Sequence, residues 1–173
     1  MEVCNIVGTC FLNSDVDLLY VCQKLKINYN PKKFSGVKIC ITKPKSVCML
    51  FRNGRVTVLG VKKEEDIIKA ALSLSEILKD IGIKTKAVTE IEIRNIVGTV
   101  NFGKPLKLND IYEKIRNNFK VNLKPELFPG MKIYLKSKRL IAILFSTGKV
   151  IITGAKNCVE LENVYYLLLN LLH

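Results

Sequence analysis

The sequence lacks the features that would point to an enzyme or a metal site. Its only histidine is the last residue, His173, so a histidine-activated nucleophile has no other candidate. The six cysteines include no close pair such as Cys-x-x-Cys, which favours reduced thiols packed as small apolar residues. No Gly-x-x-x-x-Gly-Lys-Ser/Thr loop is present to cradle a phosphate. We therefore predict no catalytic residues, no metal and no cofactor.

Signals for export or membrane insertion are also missing. The chain has no leader with a charged start, an apolar middle and a small-residue cleavage site. Residues 161–172 are rich in leucine, but they fall short of the roughly 18 apolar residues of a membrane span and include Glu162, Asn163 and Asn170. We expect a soluble intracellular protein with no membrane partner.

Acidic residues are scarce relative to basic ones. Lys and Arg total 28 against 15 Asp and Glu, for a net charge of +13. Residues 1–88 hold 15 basic and 8 acidic side chains and residues 89–173 hold 13 and 7, so the halves carry +7 and +6. Such a field attracts polyanions, nucleic acid first and acidic membrane second, although a solvated lysine-rich surface is the alternative explanation.

What the chain does contain is an internal repeat. Asn-Ile-Val-Gly-Thr occupies residues 5–9 and again 95–99, an offset of 90. Three further matches follow at an offset of 94, namely 30–36 with 124–130, 50–55 with 144–149, and 60–62 with 154–156. A long period present only twice favours one pseudo-symmetric domain over a solenoid, which needs at least about three units. We assign residues 1–88 to the first repeat and 89–173 to the second.

Each repeat is predicted to run strand, helix, three-stranded meander, helix. In the first, the strands are 1–10, 37–42, 47–51 and 55–59 and the helices 14–25 and 64–81. In the second, the strands are 91–100, 132–135, 140–145 and 149–153, the helices 109–118 and 159–172, and residues up to 130 a loop. This order indicates an α+β fold with a mainly antiparallel sheet.

The meander strands are apolar on both faces. Val47, Met49 and Phe51 alternate with Cys48 and Leu50, and neither set is polar. A sheet with one wetted face should instead alternate apolar with polar residues. Four helices can cover one face only, so the other face meets a second sheet or stays bare. A bare apolar face rimmed by Lys and Arg suits a polyanion with an apolar floor, such as an opened DNA minor groove.

Four phenylalanines occupy matched positions. Phe34 and Phe128 lie in the loop before the meander, and Phe51 and Phe145 lie at a hairpin turn. Core packing would explain one of them in isolation. Four at equivalent places are better explained as exposed wedges that partly unstack a base step.

These motifs resemble the TATA-box-binding-protein family over nearly the whole chain. The likeness rests on Asn-Ile-Val-Gly-Thr, Tyr-Asn-Pro-Lys-Lys-Phe at 29–34, Pro-Glu-Leu-Phe-Pro-Gly at 125–130, Leu-Phe-x-x-Gly-Lys at 144–149 and Thr-Gly-Ala-Lys at 153–156. The resemblance implies a pseudo-two-fold saddle, a curved ten-stranded antiparallel sheet with four helices on its convex face. The concave face would lie on the minor groove of A·T-rich DNA.

The resemblance also assigns DNA-contacting residues. The four phenylalanines would be the kinking wedges. The groove floor would comprise Asn5, Val7, Met49, Thr57, Leu59, Asn95, Val97, Ile143, Ile151 and Thr153. The phosphate ligands would be Lys33, Lys45, Arg55, Lys62, Arg139, Lys149 and Lys156. The basic residues would position the protein, while the asparagines and wedges would discriminate between sequences.

Some positions depart from the family pattern. Leu59 replaces a groove threonine, and Cys40 and Tyr134 replace arginines that usually touch the DNA backbone. At the stirrup that contacts protein partners, Lys124 replaces a glutamate used by an initiation factor, although Glu126 is kept. Residues 72–75 replace a basic stretch that other factors bind. The implied partners are nevertheless IIB-like and IIA-like factors, associated complexes and, off DNA, a second copy of the chain.

The resulting hypothesis is a general transcription initiation factor that binds and bends A·T-rich promoter DNA and nucleates the preinitiation complex. The alternative is an interaction adaptor of the same fold with weakened or altered DNA specificity. The expected location is the nucleus in a eukaryote, and otherwise the cytoplasm or a viral factory.

Overall fold

The structure, a computed structural model, describes residues 1–135 and 139–172. The chain divides into two compact units. The N-terminal unit is Asn5–Arg94, and the C-terminal unit combines Met1–Cys4 with Asn95–His173. In the described ranges, no helix combines the length and apolar character that crossing a membrane requires.

The N-terminal unit is an antiparallel sheet with two helices. Its elements are β1 (Glu2–Phe11, of which residues 5–11 lie in this unit), α1 (Leu18–Leu25), β2 (Gly36–Ile41), β3 (Ser46–Phe51), β4 (Arg55–Val61) and α2 (Glu65–Asp80). The strand order is β2-β3-β4-β1. Helix α2 packs on one face of this sheet, where a Cβ on Gly8 would come within 2.4 Å of Ile67 Cδ1. Glycine at this position therefore lets the helix approach the strand closely.

The C-terminal unit repeats this plan. Its elements are β5 (Thr89–Asn101, of which residues 95–101 lie in this unit), α3 (Leu108–Ile115), β6 (Lys120–Asn122), β7 (Gly130–Leu135), β8 (Leu140–Phe145), β9 (Lys149–Ala155) and α4 (Cys158–Leu172). The strand order is β5-β9-β8-β7-β6, and all four pairings of neighbouring strands are antiparallel. Helix α4 covers one face, with Leu161 Cδ1 3.3 Å from the position of a Cβ on Gly98. Leu161 thus matches Ile67 of the other unit.

The elements follow the predicted order, with two corrections. The predicted helix 14–25 begins only at Leu18, because Asp17 caps it: the Asp17 carboxylate accepts hydrogen bonds from the backbone N–H groups of Leu19 and Tyr20 at 3.0 and 3.1 Å. The loop predicted before residue 130 contains strand β6, which pairs with β7.

The strand count also differs from the resemblance. The described residues contain nine strands instead of ten. Residues 26–28, which match β6 at an offset of 94, form no strand in the N-terminal unit. There Lys26 ends α1 in the left-handed conformation, and its N–H donates to the carbonyl of Cys22. The extra strand is therefore a property of one repeat only.

The helix-covered faces form the core. In β3 and β4, Cys48, Leu50, Val56 and Val58 have no solvent exposure, and the matching residues Ala142, Leu144, Val150 and Ile152 have none either. Burial raises the pKa of the Cys48 thiol to about 12 and that of the Cys10 thiol to about 11. These two cysteines pack as small apolar residues, whereas Cys40 and Cys158 are exposed.

Candidate nucleic-acid interface

Each unit has a second sheet face, opposite its helix-covered face, which we call the open face. In the N-terminal unit Val47, Met49, Thr57 and Leu59 are half-buried there, alternating with fully buried neighbours. The cross-strand register pairs Val47 with Leu59 and Met49 with Thr57. The matching residues of the C-terminal unit are Ile141, Ile143, Ile151 and Thr153, and they form the same two pairs. The predicted groove-floor residues of the meanders therefore share one face in each unit.

The predicted wedges form one pair in each unit. The rings of Phe34 and Phe51 have centroids 5.9 Å apart and planes inclined at 61°, and those of Phe128 and Phe145 are 5.9 Å apart at 60°. Phe34 is 47% exposed and the other three rings are half-buried. Edge contacts of this kind hold the rings in a defined orientation while leaving surface available.

A cation lies beside each aromatic pair. The Arg55 guanidinium is 5.3 Å from the centroid of the Phe51 ring, and the Lys132 ammonium is 4.7 Å from that of Phe128. Lys132 was not among the predicted site residues. The alternation of side chains along β7 could have indicated it, because this alternation puts Lys132 on the open face, paired with Ile143. Positive charge therefore borders both phenylalanine pairs.

Two glycines support the phenylalanine pairs, a role that the sequence pattern did not predict. A Cβ on Gly36 would come within 2.9 Å of Phe34 and 3.0 Å of Phe51. On Gly130 it would come within 2.8 Å of Phe128, with Phe145 at 3.1 Å. Any side chain at these positions would displace the rings. The available signal was a repeated glycine at the start of a strand, where close backbone approach is a common reason for it.

The two asparagines of the repeated motif, Asn5 and Asn95, make matching hydrogen bonds. Asn5 Oδ1 accepts a hydrogen bond from the backbone N–H of Gly60 at 2.8 Å, and Asn95 Oδ1 accepts one from Gly154 at 2.8 Å. Both glycines have positive φ, +89° and +92°. Each asparagine lies just before an irregularity in strand pairing. These hydrogen bonds fix Oδ1 toward the glycine, and the NH₂ group is the donor part of each amide.

The units differ at the residue beside the asparagine. Asn95 Nδ2 lies 3.3 Å from the Thr153 hydroxyl, to which it donates. The matching position in the N-terminal unit is Leu59, which has no polar group on its side chain. The amide of Asn95 therefore has a neighbouring partner that Asn5 lacks at this position.

Comparison with known proteins identifies the family. The family model described as "Transcription factor TFIID (or TATA-binding protein, TBP)" matches residues 1–81 and 90–173. The chain belongs to the TATA-binding protein family. The family is one of DNA-binding transcription factors, and the resemblance drawn from the sequence motifs is confirmed.

Relatives of this family cover most of the chain. The TATA-box-binding protein of Pyrobaculum aerophilum is 34% identical over 88% of this chain and 76% of its own length. The Methanococcus aeolicus protein is 30% identical over 91% of this chain and 85% of its own length. The protein of the fungus Emericella nidulans is 32% identical over 95% of this chain and 60% of its own length. The solved structure of Methanococcus jannaschii TBP has a TM-score of 0.82 at 29% identity, covering 99% of this chain and 97% of that one. The predicted α+β fold of the TATA-binding protein family is therefore confirmed.

The basic residues that the family resemblance assigned to phosphates are in differing environments. Lys33, Lys45, Arg55, Lys62 and Lys149 are exposed and Lys156 is half-buried. Arg139 is distinct, because its Nη2 lies 2.6 Å from Glu160 Oε1 and its Nη1 donates to the carbonyl of Gly154. The hydrogen bond to Glu160 raises the pKa of Arg139.

The loop expected to meet protein partners in the TATA-binding protein family is well defined. The backbone carbonyl of Lys124 accepts hydrogen bonds from the N–H groups of Leu127 and Phe128, both at 3.0 Å. The Asn30 carbonyl does the same for Lys33 and Phe34 in the other unit. The Lys124 and Glu126 side chains are exposed, and Leu127 is 77% exposed. The turn that carries each loop phenylalanine is thus built from the backbone.

The described residues contain no cluster of three or more His, Cys, Asp or Glu side chains that could hold a metal ion. His173 lies outside the described residues.

Proposed function

We propose that this protein is a general transcription initiation factor that binds A·T-rich promoter DNA through the minor groove and bends it. The observation that carries the proposal is the pair of matched phenylalanine contacts, each with 5.9 Å between ring centroids, at the edge of a half-buried apolar face. Partial insertion of such rings between bases costs a few kcal/mol per step, and the extra contact with the bent duplex offsets that cost.

The open faces suit A·T pairs. In the minor groove an A·T pair presents only acceptors, whereas a G·C pair adds the guanine amino group. The outward NH₂ groups of Asn5 and Asn95 would donate to those acceptors. Half-buried apolar side chains, such as Met49 and Ile143, would leave a guanine amino group without a partner. Sequence preference would therefore come from the asparagines and the apolar floor.

Affinity for the DNA backbone would come from the basic residues. The exposed lysines and Arg55 would contact phosphates at the edges of the two open faces. Cys40 is exposed and Tyr134 half-buried where the resemblance led us to expect arginines. The Lys120 ammonium lies 5.5 Å from the centroid of the Tyr134 ring, so it supplies a cation near this position.

Protein partners would bind at the loops. We propose IIB-like factors at the exposed loop with Lys124 and Glu126, IIA-like factors elsewhere on the surface, and a homodimer when DNA is absent. In a eukaryote the site of action would be the nucleus, and in an archaeon the cytoplasm. The relatives described above come from archaea and a fungus.

A second candidate is an interaction adaptor with the same fold and altered DNA specificity. It is favoured by Lys124, exposed where a glutamate was expected, and by Leu72, which is 50% exposed on α2 within the altered stretch 72–75.

One binding experiment separates the two candidates. Gel-shift titrations would compare an A·T-rich duplex with a G·C-rich duplex of equal length, using the wild-type chain and the variant Phe128→Ala/Phe145→Ala. An initiation factor binds the A·T-rich duplex preferentially and loses at least about tenfold in affinity without the second phenylalanine pair, since base–aromatic stacking contributes roughly 1–3 kcal/mol per base. Equal affinity for both duplexes would favour the adaptor.

A further inference from the structure

Asn95 is tied to helix α4 by a chain of three contacts within the C-terminal unit. Glu160, in the first turn of α4, holds the Arg139 guanidinium at 2.6 Å. Arg139 donates from Nη1 to the carbonyl of Gly154. The N–H of the same glycine donates to Asn95 Oδ1 at 2.8 Å. The Gly154 residue therefore connects the Arg139–Glu160 pair to the side-chain amide of Asn95.

The carboxylate at the start of this chain is fixed at both oxygens. Glu160 Oε1 binds Arg139, and Oε2 accepts a hydrogen bond from the backbone N–H of Lys156 at 2.9 Å. The Glu160 side chain is only 13% exposed, and that of Arg139 is 36% exposed. A charge-assisted bond with one largely buried partner is more persistent than a pair of exposed side chains. Releasing Arg139 to a phosphate would leave Glu160 without this cation.

The backbone packs closely at the same place. A Cβ on Gly154 would lie 2.0 Å from the carbonyl oxygen of Arg139, whereas on Gly60, its match in the other unit, the nearest atom would be Ser46 Cα at 3.8 Å. The residues that match Arg139 and Glu160 are Lys45 and Asp66. Asp66 pairs instead with Lys69 of its own helix at 3.2 Å. The chain of contacts is therefore a property of the C-terminal unit.

We infer that Arg139 is a positioning residue for Asn95, and that Arg139 with Glu160 sets the base preference of the C-terminal unit. This inference rests on the proposed function, in which Asn95 donates to base edges. The guanidinium holds the carbonyl of Gly154, and this contact restrains the glycine backbone whose N–H group holds Asn95 Oδ1. A firmly held Oδ1 keeps the NH₂ group outward. With the amide reversed, Oδ1 would face the groove and could accept from the guanine amino group.

The test compares Glu160→Gln and Arg139→Lys with the matched control Asp66→Asn. Affinities would be measured for an A·T-rich duplex and for a set in which each base pair is replaced singly by G·C, over a range of salt concentrations. In both variants the preference for A·T over G·C is expected to fall by about fivefold or more at the base pair that Asn95 contacts. The salt dependence of binding by these two variants should match that of wild type. The control Asp66→Asn should match wild type in both base preference and salt dependence.

The inference is overturned if Arg139 behaves as a ligand of a DNA phosphate. Arg139→Ala would then weaken binding to all duplexes alike and lower the log–log salt slope by about 0.9. Glu160→Gln would strengthen binding by releasing the guanidinium. Glu160 lies on α4 at the covered face, so a change in base preference in this variant cannot come from a lost DNA contact.

Two further measurements separate positioning from a general effect on folding. In an Asn95→Ala background, Glu160→Gln should cause no additional loss of preference, and independent effects would contradict the inference. In the free protein, the side-chain amide NMR signals of Asn95 should shift or broaden in Glu160→Gln, while those of Asn5 stay unchanged. This readout needs no DNA, so unchanged Asn95 signals overturn the positioning role, whereas a wild-type chain without A·T preference overturns only the proposed function.

Discussion

The two repeats agree in the parts that would deform DNA and differ in the parts that would read it. Both phenylalanine pairs have ring centroids 5.9 Å apart and are supported by a glycine without room for a side chain. Both asparagines accept a hydrogen bond from a glycine N–H at 2.8 Å. Of the two asparagines, Asn95 alone donates to a neighbouring threonine and is linked through Gly154 to an arginine–glutamate pair. Under the proposed function, the duplicated fold would keep one mechanical role in both copies while base reading diverges.

The largest difference between the repeats is expected at the glycines that hold the asparagines. Gly154→Ala should reduce the free energy of unfolding by more than about 3 kcal/mol, because left-handed backbone strain of about 1–3 kcal/mol is joined by a clash with the Arg139 carbonyl. Gly60→Ala meets no close atom and should incur the strain alone. Urea titrations of both variants measure this, and equal losses would contradict the asymmetry.

A middle-sized difference is expected at the helix starts. Asp17→Ala should destabilise the protein by about 1 kcal/mol, because the Asp17 carboxylate accepts two backbone hydrogen bonds at the start of α1. Lys107, at the start of α3, makes no side-chain capping bond, so Lys107→Ala should change stability by no more than about 0.5 kcal/mol. Thermal unfolding of the two variants provides the comparison. Similar losses in both would mean that the Asp17 cap adds little.

A smaller effect is expected from exchanging the residues beside the asparagines. Leu59→Thr gives Asn5 the hydroxyl neighbour that Asn95 has and should sharpen A·T preference in the N-terminal unit by a few-fold, since one net hydrogen bond contributes about 0.5–1.5 kcal/mol. Thr153→Leu should weaken preference in the C-terminal unit by a similar factor. Competition binding with singly substituted duplexes measures both changes. If Leu59→Thr left every preference unchanged, the hydroxyl would have no part in positioning the amide.

The sequence was sufficient to predict the features that recur at a fixed offset in the two repeats. Phe34, Phe51, Phe128 and Phe145 stood out because their spacing recurs, and the structure pairs them within each unit. The pairing of Arg139 with Glu160 was not predictable in this way. Its partners are 21 residues apart, and their counterparts in the first repeat are Lys45 and Asp66, so the repeat gave no signal.

Short-range structure was missed where the residue pattern is ambiguous. Strand β6 has a single half-buried residue, Val121, between exposed Lys120 and Asn122, too short a run to indicate a strand. Asp17 and Ser14 are both good capping residues, and only the observed hydrogen bonds distinguish them. Gly36 and Gly130 follow loops, where glycine is common for other reasons, so the sequence pattern did not predict their contacts with the phenylalanine rings.

The most direct test of the proposed mechanism is base unstacking at two places in one duplex. 2-Aminopurine placed singly along an A·T-rich site should brighten at two separate steps when the wild-type chain binds, because each phenylalanine pair is proposed to unstack one step. Phe34→Ala/Phe51→Ala should abolish one of these signals and Phe128→Ala/Phe145→Ala the other. Binding without increased fluorescence at any step, or signals that survive both double substitutions, would contradict the assignment of the phenylalanines as wedges.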